Sequence, residues 1–128
     1  MLDNEIIHCL AEITGLTTPS LPAVLHYREA SGPELEIHIE ADHQLITLWC
    51  KLACPVGVPV AETLLRVNCA WRDPSASWLY YDADRGTPIL VSALPRADTY
   101  PERFRAQAPL FFSACSTLQD VLARAAHH

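Results

Sequence analysis

Glycine is scarce in this chain, with four residues in 128: Gly15, Gly32, Gly57 and Gly86. Each stands alone at a break between patterned segments, where a turn explains it. No glycine-rich phosphate loop or dinucleotide fingerprint can be assembled from them. Long apolar runs are missing too, and no stretch approaches the roughly 18 residues that a membrane helix needs. Positive charge is short: nine Lys and Arg stand against fifteen Asp and Glu, a formal net charge of -6. Such a chain repels phosphate backbones and offers no basic stripe, so nucleic acid is not an expected partner.

Site motifs are equally absent. Neither CxxC nor HExxH occurs, and the nearest metal donors, His38, His43, Cys50 and Cys54, read more simply as a solvent-face residue, a loop residue and apolar thiols. Cys54, before Pro55, lacks any local signature of a nucleophile. Glu34, Glu36 and Glu40 alternate with apolar residues and read as a solvated sheet face rather than as paired catalytic carboxylates. The expectation is therefore no catalytic residue, no metal and no cofactor. The five cysteines, Cys9, Cys50, Cys54, Cys69 and Cys115, lie in apolar segments, as free thiols do in a reducing compartment. Residues 1–10 carry Asp3 and Glu5 where a secretory signal is basic, which makes the cytoplasm the expected location.

What is present is a foldable pattern. Half the residues are hydrophobic and 19% are charged, a balance that favours ordered structure. At 14.2 kDa, residues 1–128 suit one domain with one core.

Leu2, Ile6, Leu10 and Ile13 recur at helical spacing and Gly15 follows, which predicts a first helix over Asp3–Thr14 with a left-handed cap. Ala23–Arg28 reads as a modest strand. The strongest strand signal is ELEIHIE at 34–40: Leu35, Ile37 and Ile39 point one way, and Glu34, Glu36, His38 and Glu40 the other. After a tight turn, Ile46, Leu48, Cys50 and Leu52 share one face of a third strand, opposite Leu45, Thr47, Trp49 and Lys51. Short turns imply antiparallel pairing. Residues 77–81 and 87–93 form a predicted hairpin.

A last helix follows, capped by Asp98 or Thr99, with Pro101 in its first turn. Its stripe is Phe104, Phe111, Ala114, Leu118, Val121, Leu122 and Ala125, and Pro109 is expected to kink or divide it.

Between the strands lies VAETLLRVNCAW at 60–71, helical in period. Val60, Leu64, Val67 and Trp71, with Ala61 and Leu65 beside them, make a stripe wider than a solvent-facing helix needs. Either the chain's own sheet or a second copy must cover it. The predicted class is α+β, in the order helix, three antiparallel strands, helix, two strands, helix. With helices on one face of the sheet, some of Trp49, Trp78, Tyr80 and Tyr81 must point away from them.

This order of elements, the acidic pI, the first helix ending in LAEITGL and the mid-chain LLRVNCAW resemble the class I type III secretion chaperones, the Tir-chaperone-like family. Leu64, Leu65 and Asn68 match that family's Leu-Leu-x-x-Asn pattern, and the resemblance spans residues 2–125. It implies a non-enzymatic homodimer that binds the N-terminal segment of a secreted effector, keeps it extended and presents it to the export ATPase of the apparatus. It also implies a dimer interface at Leu64, Leu65, Asn68, Trp71 and Trp78, and effector contacts at Leu2, Ile6, Leu25, Leu35 and Ile37. Two alternatives from other classes are an adaptor domain of the same fold with a folded partner, and a small cysteine- or metal-dependent enzyme using Cys54 and nearby histidines.

Overall fold

Period-two alternation sets the sheet. The computed structural model describes residues 1–30, 32–53, 77–82 and 84–125. Within them Ala23–Arg28 (β1), Glu34–Ala41 (β2), Leu45–Lys51 (β3), Trp78–Asp82 (β4) and Thr87–Pro95 (β5) form a five-stranded sheet in the order β1-β2-β3-β5-β4. Every neighbouring pair is antiparallel. The expected central helix over 60–71, with Leu64, Leu65, Asn68 and Trp71, lies outside the described residues, as do Cys54 and Cys69.

The alternation falls as its chemistry requires. Leu35, Ile37 and Ile39 of β2 are buried with Ile46, Leu48 and Cys50 of β3, and Leu52 just beyond β3 joins the same core. Strand β5 does not pair only with its hairpin partner. It lies between β3 and β4, so Pro88, Ile89, Leu90, Val91 and Ser92 are all buried, on both of its faces. A near-continuous apolar run is what such a central position demands.

Two helices cover the inner face: α1 (Asp3–Thr14) and α2 (Pro101–Ala125). Leu2 precedes α1 and offers no side-chain acceptor. The Glu5 carboxylate instead accepts the Leu2 backbone N–H at 2.8 Å, half of a capping box. Gly15 ends the helix at φ 72, a left-handed residue whose N–H reaches Ala11 O at 2.8 Å. Ile6, Cys9 and Leu10 face the core beside Phe104, Ala108, Phe111, Phe112, Cys115, Leu118 and Leu122 of α2. Burial of each such large side chain is worth roughly 1.5–3 kcal/mol, and this packing holds α1, whose 12 residues are too few to persist alone.

Arginines fix the angles between layers. Arg96 donates through Nε to Met1 O at 2.7 Å, through Nη1 to Asp42 O at 2.8 Å, and through Nη2 to Asp3. It thereby ties the start of α1 to the β2–β3 turn. That turn is closed by Asp42, whose carboxylate accepts the N–H groups of Gln44 and Leu45, both at 2.7 Å. Arg105 of α2 meets Glu12 of α1 at 2.8 Å.

Three expectations are corrected. Pro109 lies inside α2 without dividing it, and against a proline cost of about 3 kcal/mol stand the buried side chains around it, Phe104, Ala108, Phe111 and Phe112. Phe112 sits 5.0 Å from Tyr27 and 6.3 Å from Phe111, centroid to centroid. Thr99 does not cap α2, since its hydroxyl turns back to Pro95 O at 2.7 Å. Val121 leaves the stripe and is exposed, while Ala108, Phe112 and Cys115 join it.

Candidate functional site

With both described helices on the inner face, the outer face of the sheet is the surface to consider. Its side chains line up across all five strands. Val24 on β1 stands opposite His38 on β2, His38 opposite Trp49 on β3, Trp49 opposite Val91 on β5, and Val91 opposite Trp78 on β4. Apolar and aromatic groups thus cross the sheet in a single row.

At its centre the rings of His38 and Trp49 stack, 3.7 Å apart between centroids and 13° between planes. His38 Nε2 lies 3.2 Å from Glu36 Oε1, and the Lys51 ammonium stands 5.8 Å above the Trp49 ring, within cation–π range. Beyond Trp49 the face dips into a cleft of about 390 Å³, lined by Thr47, Trp49, Ile89, Val91 and Trp78 and edged by Lys51, Asp82 and Arg85. Trp78 is 48% exposed and Val24 46% exposed, so the row ends in apolar surface at both edges.

Charge borders the row. Arg28 faces Glu34 across β1 and β2, a cross-strand pair of opposite sign, and His26 faces Glu36. The free sides of β1 and β4 are the sheet's edges among the described residues, rows of backbone donors and acceptors that an extended chain can join.

The expected site residues divide sharply. Leu2, at the start of α1, is 66% exposed. Ile6, Leu25, Leu35 and Ile37 are core residues, with Ile6 and Ile37 wholly buried. Their side chains pack within the chain and leave no surface for direct contact, so those four positions shape the sheet from beneath. Trp78 lies on edge strand β4 and shares the outer row. Leu64, Leu65, Asn68 and Trp71 are outside the described residues.

Among the described residues no group of three or more His, Cys, Asp or Glu is placed to hold a metal. His38 is taken up by Trp49 and Glu36, His43 is exposed in the β2–β3 turn, and Cys9, Cys50 and Cys115 are buried free thiols. Burial pushes the Cys9 thiol up from its ordinary value, away from nucleophilic reactivity. No described helix is long and apolar enough to cross a membrane.

The row went unnoticed in the sequence, although part of its signal was there. His38 and Trp49 each occupy the wet side of neighbouring strands joined by a tight turn, which brings them face to face. The place of β5 beside Trp49 had no local signal.

No protein-family model matches the chain, and no curated protein matches it either. Solved structures do. A chain of the heterodimeric complex ExoU-SpcU from the type III secretion system of Pseudomonas aeruginosa aligns at 26% identity and TM-score 0.61, covering 91% of this chain and 97% of that one. A chain of the ExsC-ExsE complex aligns at 19% identity and TM-score 0.67, covering 94% and 96%. The Yersinia pestis type III secretion chaperone SycH, solved with a stable fragment of YscM2, aligns at 15% identity and TM-score 0.57, covering 91% and 98%.

This chain has the class I type III secretion chaperone fold. The α+β class predicted from the sequence, seen among the described residues as a first helix, an antiparallel sheet and a C-terminal helix, is that of this fold. Alignment runs over nearly the whole of each chaperone chain, so the sheet and the helices on its inner face are common to the fold.

Proposed function

We propose that this chain is a type III secretion chaperone: a non-enzymatic, single-domain homodimer of the bacterial cytoplasm. It binds the N-terminal segment of a secreted effector, holds it extended and delivers it to the apparatus and its export ATPase. The observation that carries this is near full-length likeness to chains solved in complexes, among them the heterodimer ExoU-SpcU and SycH with a fragment of YscM2.

The geometry supports it. An extended segment gains backbone bonds at a sheet edge and seats alternate side chains on apolar patches, a mode tolerant of sequence. Exposed Leu2 and Val24 supply such patches, while Ile6, Leu25, Leu35 and Ile37 pack in the core behind the sheet. The dimer forms through Leu64, Leu65, Asn68 and Trp71, joined by Trp78 on β4.

Size-exclusion chromatography with light scattering tests the assembly. The unaltered chain should run as a dimer at micromolar concentration and Leu65→Asp as a monomer. A unaltered chain that is monomeric throughout contradicts the proposal. Survival of the Leu65→Asp dimer moves the interface elsewhere.

A further inference from the structure

Strand β3 ends against a helix. Its ladder with β5 runs to Lys51 opposite Ile89, and one more bond, Leu52 N–H to Pro88 O at 2.9 Å, carries it past the end of the strand. Leu52 is buried, whereas Ala53 is exposed. Both backbone groups of Ala53 are nevertheless paired, and with a single side chain. Its N–H donates to Gln119 Oε1 at 2.7 Å, and Gln119 Nε2 donates to its carbonyl at 2.9 Å. A glutamine amide carries the same donor and acceptor as a peptide group, so α2 supplies here the two-point match that a neighbouring strand would give. Leu118 and Leu122, buried beside Gln119 in α2, seat that turn of the helix in the core.

Water satisfies an exposed peptide nearly as well, so satisfaction alone does not account for the pair. What two bonds from one planar group add is direction, because together they fix the peptide from which the chain departs. Ala53 is the last described residue before the stretch that holds Leu64, Leu65, Asn68 and Trp71. On the far side of that stretch Trp78 is held by pairing with Val91. We infer that Gln119 is a positioning residue for the dimer: by holding Ala53, α2 presets the direction in which each chain leaves for its interface residues, so that less backbone has to be ordered when two copies meet. This inference rests on the dimer reading proposed above, and the experiment separates the two.

Gln119→Leu keeps the bulk and helix propensity of the side chain and removes both bonds. Sedimentation equilibrium should show the dimer dissociation constant raised at least about tenfold, the scale of one residue's backbone entropy. Urea unfolding followed by tryptophan fluorescence, at dilutions where both proteins run as monomers, should superimpose. Gln119→Asn, which carries the same amide on a shorter arm, should weaken the dimer as well. Hydrogen exchange read by nuclear magnetic resonance should find the Ala53 amide protected in the unaltered chain and fast in both variants. An unprotected Ala53 amide in the unaltered chain would overturn the inference, as would a loss of monomer stability that matches the loss of dimer. A dimer indifferent to Gln119 sinks this inference and leaves the dimer proposal standing. An unaltered chain that never dimerises sinks both.

Discussion

His38 and Trp49 stack ring on ring, 3.7 Å apart, at the middle of the outer face of the sheet. Neither is held there by the core. The contact comes from register, since the turn at Asp42 places His38 directly opposite Trp49. A double-mutant cycle of His38→Ala and Trp49→Leu, read by urea unfolding, should give a coupling of about 1 kcal/mol. Additive losses would mean that the two rings only share a surface.

Ile37 is wholly buried in the core whereas Leu2 is mostly exposed, so the two expected contact positions should respond differently. Ile37→Ala should cost roughly 2–5 kcal/mol of stability. Leu2→Ser should stay within about 0.5 kcal/mol. Chemical denaturation of both variants measures the contrast directly.

Pro109 interrupts the hydrogen-bond ladder of α2 without dividing the helix. Pro109→Ala restores one donor and relieves the clash with the preceding turn, against a smaller loss from a freer unfolded chain. A net gain of roughly 2 kcal/mol is expected. Thermal and urea unfolding should both move upward, and a fall in either would mean that the ring itself fills space α2 needs.

Acid should weaken the link between the helices and the closure of the β2–β3 turn. The Arg105 hydrogen bond, with its charge and that of His8, holds the Glu12 carboxyl below its ordinary value. The N–H groups of Leu45 and Gln44 do the same for Asp42. Each folded-state pKa is depressed, so the stability it contributes is complete above the unfolded carboxylate value and is lost as pH falls through the folded one. Unfolding measured from neutral pH down through the carboxylate range should show this loss. Glu12→Gln and Asp42→Asn should each flatten it.

Much of the fold was legible because its signals are local. Strict alternation at 34–40 fixed which side chains of β2 enter the core, and Gly15 marked the end of α1 where its φ of 72 needs a residue without Cβ. Strand order was not legible. The insertion of β5 beside β3 depends on pairing between residues about forty apart, such as Trp49 and Val91, and only its unbroken apolar run hinted at burial on both faces. For the candidate site, alternation told apolar from wet faces but not which face meets a partner. Leu25, Leu35 and Ile37 were expected at contacts from the family resemblance, and the structure buries them in the core. The stripe of α2 was misjudged at Val121 for a similar reason: helical period fixes a face to within one residue, and the neighbouring packing decides its edge.

The central claim is that this chain holds a short, extended segment of a secreted protein. Purification of the chain with its partner from the native host, followed by limited proteolysis and mass spectrometry of what survives, tests this most directly. The account predicts one protected fragment, from the partner's N-terminal region, while the rest of the partner stays folded or is digested independently of this chain. Protection of an intact folded domain, or of no fragment at all, would contradict it.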